Sequence, residues 1–388
     1  MKVGIITFYN KSCNYGGLLQ AYALCELISG FGFPAEQITF ERNDNVENNK
    51  PCKKKCSLKN LPRWLKNQYI DFRSFLLRKK LRKRQEAFKS FRESIPHSEV
   101  FDSSSIHECN KIYDIFVTGS DQVWNPIYLK PEYLLTFVDK APKIAYAVSI
   151  SQPSLTKEQK EVFAKNIGDY VGVSVREEQT VNDLLDIYPE TKWVLDPTLL
   201  LGEEQWGRIV SKREVKDKYI FCYFIGLNRE AREMAKLFAK KNKLKIVTIP
   251  YFNNAYTRVD DGFGDITPYD VSPNQWLSLI KHAEFVFTDS FHATVFSHIF
   301  KKQFFVFNRS SQGEMSNRIY SLLKLMGTEE RFIDSNHKAN LEYLSSLNPV
   351  DYSLNNSEFG NMRKSSRDYL EHHLKKAEEQ VLKEAMHG

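Results

Sequence analysis

TDSFHATVFSHIF, Thr288–Phe300, sits directly behind the apolar run FVF at 285–287 and directly ahead of FFVF at 304–307. Short apolar runs bounded by polar residues read as buried strands. Val295, Phe296, Ile299 and Phe300 recur at helical spacing, so the chain leaves one strand, turns at once into a helix and returns to another strand. That order makes a parallel βαβ unit. Asp289 and Ser290 are cap residues by type, able to satisfy the free amides of the helix start. His292 falls in the first turn. Ligands collect outside the carboxyl ends of parallel strands, where helix N-termini favour anions. An imidazole there titrates near neutral pH and is placed for proton transfer. The plain alternative is a helix-start histidine bonded to a neighbouring carbonyl.

The same rhythm extends outward along the chain. KVGIITFY (2–9) is a strand, NKSCNYGG a polar loop, and LLQAYALCELISGFG a helix stopped by Gly30 and Gly32. Strands follow at 114–119, 143–150 and 170–175, with a helical pattern at 156–168. After WVLDPTLLL (193–201) the alternation restarts, with strands at 219–226, 245–251, 285–287 and 304–307 separated by helical patterns. Strands separated by helices imply parallel sheets, and two such runs imply two doubly wound domains. The chain, 388 residues with 42% hydrophobic content, is long enough to bury both cores. The expected fold is therefore α/β, two Rossmann-like doubly wound parallel-sheet domains facing across a cleft. The expected division is 1–195 with a basic helical insertion at about 50–95, then 196–350, then a charged helix over 360–388 that packs back across the domains.

Three more strand exits carry polar residues: NYGG (14–17), VTGSDQVWNP (117–126) with Asp121, and SVREEQT (174–180) with Arg176 and Glu177. Each alone is ordinary turn chemistry. NYGG lacks the glycine spacing of a dinucleotide fingerprint and no Walker-type GxxxxGK[ST] occurs, which disfavours a Rossmann oxidoreductase and a P-loop kinase.

The net charge of +7 is local in origin. Lys50–Arg92 holds 16 Lys and Arg against two acids, an excess of 14, so the remainder is net −7. Trp64, Leu65, Tyr69, Phe72, Phe75, Leu76, Phe88 and Phe91 recur there at three- and four-residue spacings. These describe one or two amphipathic helices with a basic outer face. Either this is a solvated insertion, or it anchors to anionic lipid, where each Lys or Arg near the surface contributes about 1 kcal/mol. RNA is disfavoured, because no stacking-sheet motif or helix-turn-helix pattern accompanies the charge. The six cysteines are scattered, which fits reduced thiols and a cytoplasmic protein, peripheral to the inner face of the membrane if the insertion docks there. Cys52 and Cys56 in CKKKC lack a second pair at zinc-ribbon spacing and read as a loop. MKVGIITFYN is too short and too weakly basic for a signal peptide, and no apolar run approaches a bilayer span.

NYGGLLQAYAL, FVTGSDQVWN, VSVREEQT, VLDPTLLL and TDSFHATVFSHIF, in this order and at these separations, resemble the polysaccharide pyruvyl transferase family. The resemblance runs from the first strand to about residue 326, the basic insertion excepted. It implies a GT-B-like fold with the active site between the domains. It also implies an activity: transfer of the pyruvyl group of phosphoenolpyruvate onto a sugar diol of a cell-surface polysaccharide precursor, forming a cyclic ketal and releasing phosphate.

By the same resemblance His292 is the general acid, and Arg176 binds donor charge. Ketal-forming members place an arginine two residues before that histidine, where this chain has Ser290. Arg309 or Arg318, in FNRSSQGEMSNRI, would supply the missing charge at the donor site. Asn14, Gly16, Gly17 and Asp121 face the sugar acceptor, itself carried on a lipid in one version of the scheme. No cofactor beyond phosphoenolpyruvate as co-substrate, no metal and no nucleic acid is expected. Ser290 keeps open a glycosyltransferase of the same fold with a nucleotide-sugar donor. A third reading is a non-catalytic carbohydrate-binding protein.

Overall fold

The computed structural model describes residues 1–42, 63–250, 258–309, 317–333, 340–353 and 356–387. The sequence dictates two parallel sheets, because its strands are nearly continuous apolar runs buried on both faces. VGII and YIFCY, for example, are buried at every position.

The first sheet holds β1 (Val3–Ile6), β2 (Ala35–Phe40), β3 (His97–Phe101), β4 (Ile115–Asp121), β5 (Lys143–Val148), β6 (Gly172–Val175) and β7 (Lys192–Trp193), ordered β3-β2-β1-β4-β5-β6-β7. The second holds β8 (Tyr219–Tyr223), β9 (Lys245–Thr248), β10 (Phe285–Thr288), β11 (Gln303–Phe307) and β12 (Phe332–Ile333), ordered β12-β11-β10-β8-β9. All pairings are parallel; β1 runs beside β4 with Val3 opposite Ile115, and β10 beside β8 with Thr288 opposite Tyr223.

Helices α1 (Tyr15–Gly30), α2 (Arg63–Ser94), α3 (Lys157–Asn166) and α4 (Glu178–Leu184) belong to the first half. The second half has α5 (Glu203–Gly207), α6 (Arg229–Asn242), α7 (Pro273–Lys281), α8 (Phe291–Ile299), α9 (Asn317–Met326) and α10 (Leu341–Ser346). The chain ends in α11 (Ser357–His387), whose Leu370, Leu374 and Ala377 are fully buried. It reaches back to the first half, where Ser366 Oγ accepts the Leu195 amide at 2.9 Å.

One apolar core runs through both sheets. Tyr15, the first residue of α1, stacks on Trp276 of α7 at 5.3 Å and donates its hydroxyl to the Val271 carbonyl at 2.9 Å. Trp206 of α5 packs edge-on against Phe296 of α8 at 4.8 Å and against Tyr22 of α1. A shared core of this kind holds the two halves at a fixed separation and leaves a crevice above it.

Four strands escape the reading by apolar runs. β2 is interrupted by Glu36 and Gln37, β3 is mostly exposed, and β7 and β12 have two residues each. The step from β4 to β5 uses 3-10 turns at Gln122–Trp124 and Pro131–Leu134 rather than an α-helix. The insertion forms one long helix from Arg63; its earlier part, with Cys52 and Cys56, lies outside the described residues. Its apolar repeat also divides, against expectation. Leu77, Phe88 and Phe91 are buried, whereas Phe72, Phe75 and Leu76 are exposed.

Candidate active site

Each sheet has one point where the strand order reverses, and ligands bind at such points in open α/β sheets. In the first sheet it lies between β1 and β4, in the second between β8 and β10. The loop after β1 delivers Asn14, and β4 ends in Asp121; β10 leads into Ser290 and His292 at the start of α8. These exits, joined by Arg42, Arg176, Arg309 and Arg318, enclose a cavity of about 360 Å³. A larger cavity of about 1020 Å³, around His298, Phe359 and Arg363, adjoins the C-terminal end of α8 and the start of α11. It lies away from the strand ends and their polar side chains.

Asn14, Asp121, Arg176, Ser290, His292, Arg309 and Arg318 all line the smaller cavity. Gly16 and Gly17 stand behind its wall, in the first turn of α1. Asn14 is the cap of that helix: its Oδ1 accepts the Gly16 and Gly17 amides at 3.0 and 3.4 Å. Ser290 caps α8, with its Oγ 3.5 Å from the Ala293 amide. Two helix N-termini, one from each half, therefore meet at the cavity and favour negative charge there.

Gly16 has a specific steric duty. A Cβ on it would stand 2.0 Å from His292 Nδ1 and 2.4 Å from Cγ, so the imidazole lies flat on bare backbone across the interface. No residue with a side chain permits that approach.

His292 Nε2 is closed off from solvent, has no hydrogen-bond partner among the described residues, and sits 3.7 Å from Asp196 Oδ2. Asp196 is the hub of this wall. Its Oδ2 accepts Arg176 Nη1 at 2.8 Å and Ser120 Oγ at 3.2 Å; its Oδ1 accepts the Thr198 amide and hydroxyl at 3.0 and 2.6 Å. Burial alone would raise its pKa. The His292 ring, the Arg176 charge and the Thr198 donors outweigh burial and hold the carboxyl well below the usual carboxylate range. Asp196 is thus a fixed negative charge beside the imidazole and the natural counter-ion for an imidazolium.

The Arg176 side chain is 2% exposed and shared among acids: Asp196, Asp121 at 3.3 Å and Glu177 at 3.9 Å. Burial opposes its charge, but Asp196, Asp121 and Glu177 raise its pKa further above the ordinary value. Arg318 differs. Its Nη1 donates to Ser151 Oγ at 3.2 Å, its Nε is closed off without a partner, and among the described residues no carboxylate lies within salt-bridge distance. Burial, reinforced by Arg176, pulls its pKa down to about 10. Both guanidiniums lie over the ring of Phe291, at 4.8 and 5.7 Å. Arg309 Nε donates to the Asp289 carbonyl at 3.2 Å, with the Asp289 carboxylate 3.8 Å away. That carboxylate also takes the Ile225 and Gly226 amides at 2.7 Å each, tying the β8 exit to the β10 exit.

Among the described residues no group of three or more His, Cys, Asp or Glu is disposed to hold a metal ion. The arrangement can bind a small anion of two or more charges and exchange a proton with it through an imidazole. Sequence reasoning passed over Asp196, Phe291 and Arg42. Asp196 follows the apolar VL of WVLDPT, the same strand-exit pattern that marked the other sites, yet it read only as a domain boundary. Arg42 follows β2, a strand without a clear signal.

The profile of the family described as polysaccharide pyruvyl transferase matches residues 14–311. Comparison with curated proteins gives no significant match. Among solved structures, the S. aureus MnaA–UDP complex is similar at a TM-score of 0.52 and 12% identity, covering 95% of this chain and 92% of that one. A UDP-GlcNAc 2-epimerase from Neisseria meningitidis bound to UDP-GlcNAc has a TM-score of 0.43 and 10% identity, covering 95% and 99%. E. coli ADP-heptose LPS heptosyltransferase II has 0.39 and 10%, covering 94% and 99%. Likeness at these identities concerns the fold, and the first match supports two parallel-sheet domains of the GT-B type. The profile match includes all five motif stretches, from NYGG to the helix of His292, and on that ground the chain belongs to the polysaccharide pyruvyl transferase family.

Proposed function

We propose that the cavity binds phosphoenolpyruvate and that His292 protonates its methylene carbon. The observation that carries this reading is the pairing, in one small cavity, of an imidazole with cationic side chains and two helix N-termini. A volume of about 360 Å³ is at the small end of ligand sites, which commonly run from about 300 to 1,000 Å³. It suits a compact phosphorylated acid better than a nucleotide sugar.

In this scheme Arg318 and Arg309 take the donor's phosphate and carboxylate, the former through a guanidinium that has no carboxylate at salt-bridge distance among the described residues. The imidazolium passes its proton to the methylene carbon, and the electron pair of the double bond forms the new C–H bond. The central carbon becomes an oxocarbenium-like electrophile. One sugar hydroxyl adds there and releases a proton; phosphate departs; a second hydroxyl of the same sugar adds and closes the ketal, releasing its proton. One of these protons restores the imidazolium. Asp196 stabilises the charged ring throughout without moving a proton itself.

The acceptor enters from the side of Asn14 and Asp121 and is a sugar of a cell-surface polysaccharide precursor, carried on a lipid. The scheme calls for no cofactor and no metal. Phosphate release from phosphoenolpyruvate, assayed with a panel of sugar diols and in parallel with a panel of nucleotide sugars, tests the proposal. Turnover of a nucleotide sugar, with no phosphate released from phosphoenolpyruvate, would overturn it in favour of a glycosyltransferase.

A further inference from the structure

Helix α2 carries apolar residues on two faces. The inner stripe, Leu77, Arg84, Phe88 and Phe91, is buried. Arg84 lies over the Tyr15 ring at 5.1 Å and Phe88 packs on the same ring at 4.7 Å, so α2 is braced on the first residue of α1. At 3.6 residues per turn, Phe72, Phe75 and Leu76 fall roughly 140° from that stripe. They are 59, 61 and 53% exposed.

Single exposed apolar residues need no explanation. Here three of them, at i, i+3 and i+4, share one face with the exposed Lys79 and Lys83, and exposed Arg78, Lys80 and Arg82 flank that face. The Arg78 guanidinium lies over the Phe75 ring at 5.4 Å. Folding of this chain does not use the trio, since it points away from the packed stripe. A second copy would bring two segments of excess charge +14 together, which like-charge repulsion disfavours. Two large aromatic rings and a leucine among lysines and arginines match one surface in both chemistry and shape. Apolar side chains enter the boundary between headgroups and acyl chains, while the long basic side chains reach back to anionic headgroups. No helix among the described residues is long and apolar enough to cross a membrane, so the contact is one of lying on the surface.

We infer that the outer face of α2 docks this protein on an anionic lipid bilayer, with Phe72, Phe75 and Leu76 immersed and Lys79 and Lys83 beside them on the headgroups. The inference does not depend on the donor or reaction proposed above. Because α2 rests on Tyr15, the docked helix is fixed to the element whose N-terminus faces the cavity.

The test is co-sedimentation of the full chain with vesicles of phosphatidylcholine alone and of phosphatidylcholine mixed with phosphatidylserine. Binding to the mixed vesicles is expected at low salt, falling on the order of tenfold or more as salt screens the charges. Phe72→Ser/Phe75→Ser/Leu76→Ser and Lys79→Gln/Lys83→Gln should each lower it by about as much, with thermal unfolding unchanged. Four results would overturn the inference: no binding to mixed vesicles at low salt; wild-type binding by the apolar triple variant; displacement from vesicles by a single-stranded RNA that binds more tightly; or a size-exclusion profile showing self-association that the triple variant abolishes.

Discussion

On one rim of the cavity Arg176 meets Asp196 at 2.8 Å and Asp121 at 3.3 Å; on the other, Arg318 meets a serine hydroxyl and, among the described residues, no carboxylate. Both arginines lie over the same phenylalanine and both are largely withdrawn from water. A buried cation with its acids in place is a structural brace. One without them raises the free energy of the empty site and lowers it again when an anion arrives. The depression of the Arg318 pKa to about 10 is the same statement in protonation terms. The comparison teaches that guanidiniums in a site are distinguished by what already neutralises them: Arg176 has its acids in contact, whereas Arg318, among the described residues, has none at salt-bridge distance.

The largest effect expected is on the proton donor at the seam between the rims. His292→Ala should lower kcat by about 10²–10⁴-fold, the usual contribution of a positioned acid. Donor affinity should hold within a few-fold, because the arginines remain. Wild-type turnover in this variant would return the histidine to a purely structural duty and with it the whole assignment.

Substituting the two arginines alike breaks the comparison or confirms it. Arg176→Met leaves the buried Asp196 and the half-buried Asp121 without their cation and should destabilise the fold by about 3–5 kcal/mol, read by denaturant unfolding. Arg318→Met should leave the empty protein as stable as the wild type or more so. It should weaken phosphoenolpyruvate binding about 10- to 100-fold, the worth of hydrogen bonds to a charged group. Titration calorimetry, with melting temperatures at rising phosphoenolpyruvate, reads both quantities. Equal destabilisation by the two variants would mean that the rims are not different in kind.

Gly16→Ala is the next smaller perturbation. The added methyl would stand 2.0 Å from the imidazole, forcing His292 off the seam at a cost of about 1–3 kcal/mol. Its signature is a fall in kcat accompanied by a lower melting temperature, whereas His292→Ala lowers kcat alone. Ala at Gly17 meets nothing closer than 3.4 Å and serves as the control.

These side chains show what the sequence made legible and where it stopped. The two-sheet architecture could be read because parallel strands are buried on both faces and spell short apolar runs; β2 was hidden because Glu36 and Gln37 break its run. His292, Ser290, Asp121 and Arg176 could be located because each follows a strand end, and strand ends converge. What a strand-end argument does not contain is the partner of each charge. That Asp196 would neutralise Arg176 and face His292 depends on β6, the turn after β7 and α8 meeting in three dimensions, from residues 20 and more apart along the chain. Likewise the duty of Gly16 is visible only once a side chain 276 positions later is laid on it. In α2, helical spacing revealed the apolar positions but not which of two opposite faces was buried, since the packing surface comes from α1.

The two histidines of α8 carry the comparison to its finest scale. His292, at the N-terminal end, has the Asp196 carboxylate beside it; His298, at the other, lies against Phe359 at 4.8 Å and Tyr352 at 5.7 Å, its Nδ1 without a partner among the described residues. Burial, helped by the Arg363 charge, pushes the His298 pKa down to about 4. The unfolded imidazole titrates near 6.5. Between those two values the unfolded chain takes up a proton that the folded chain refuses, so the contribution of His298 to stability is complete above about pH 6.5 and is lost as pH falls towards 4. His298→Phe keeps a ring against Phe359 and removes the titration. Its melting temperature should therefore fall less steeply than that of the wild type across this window. Parallel curves would shift the dependence to His373, a second described histidine whose pKa burial lowers, and His373→Phe would then show the flattening instead.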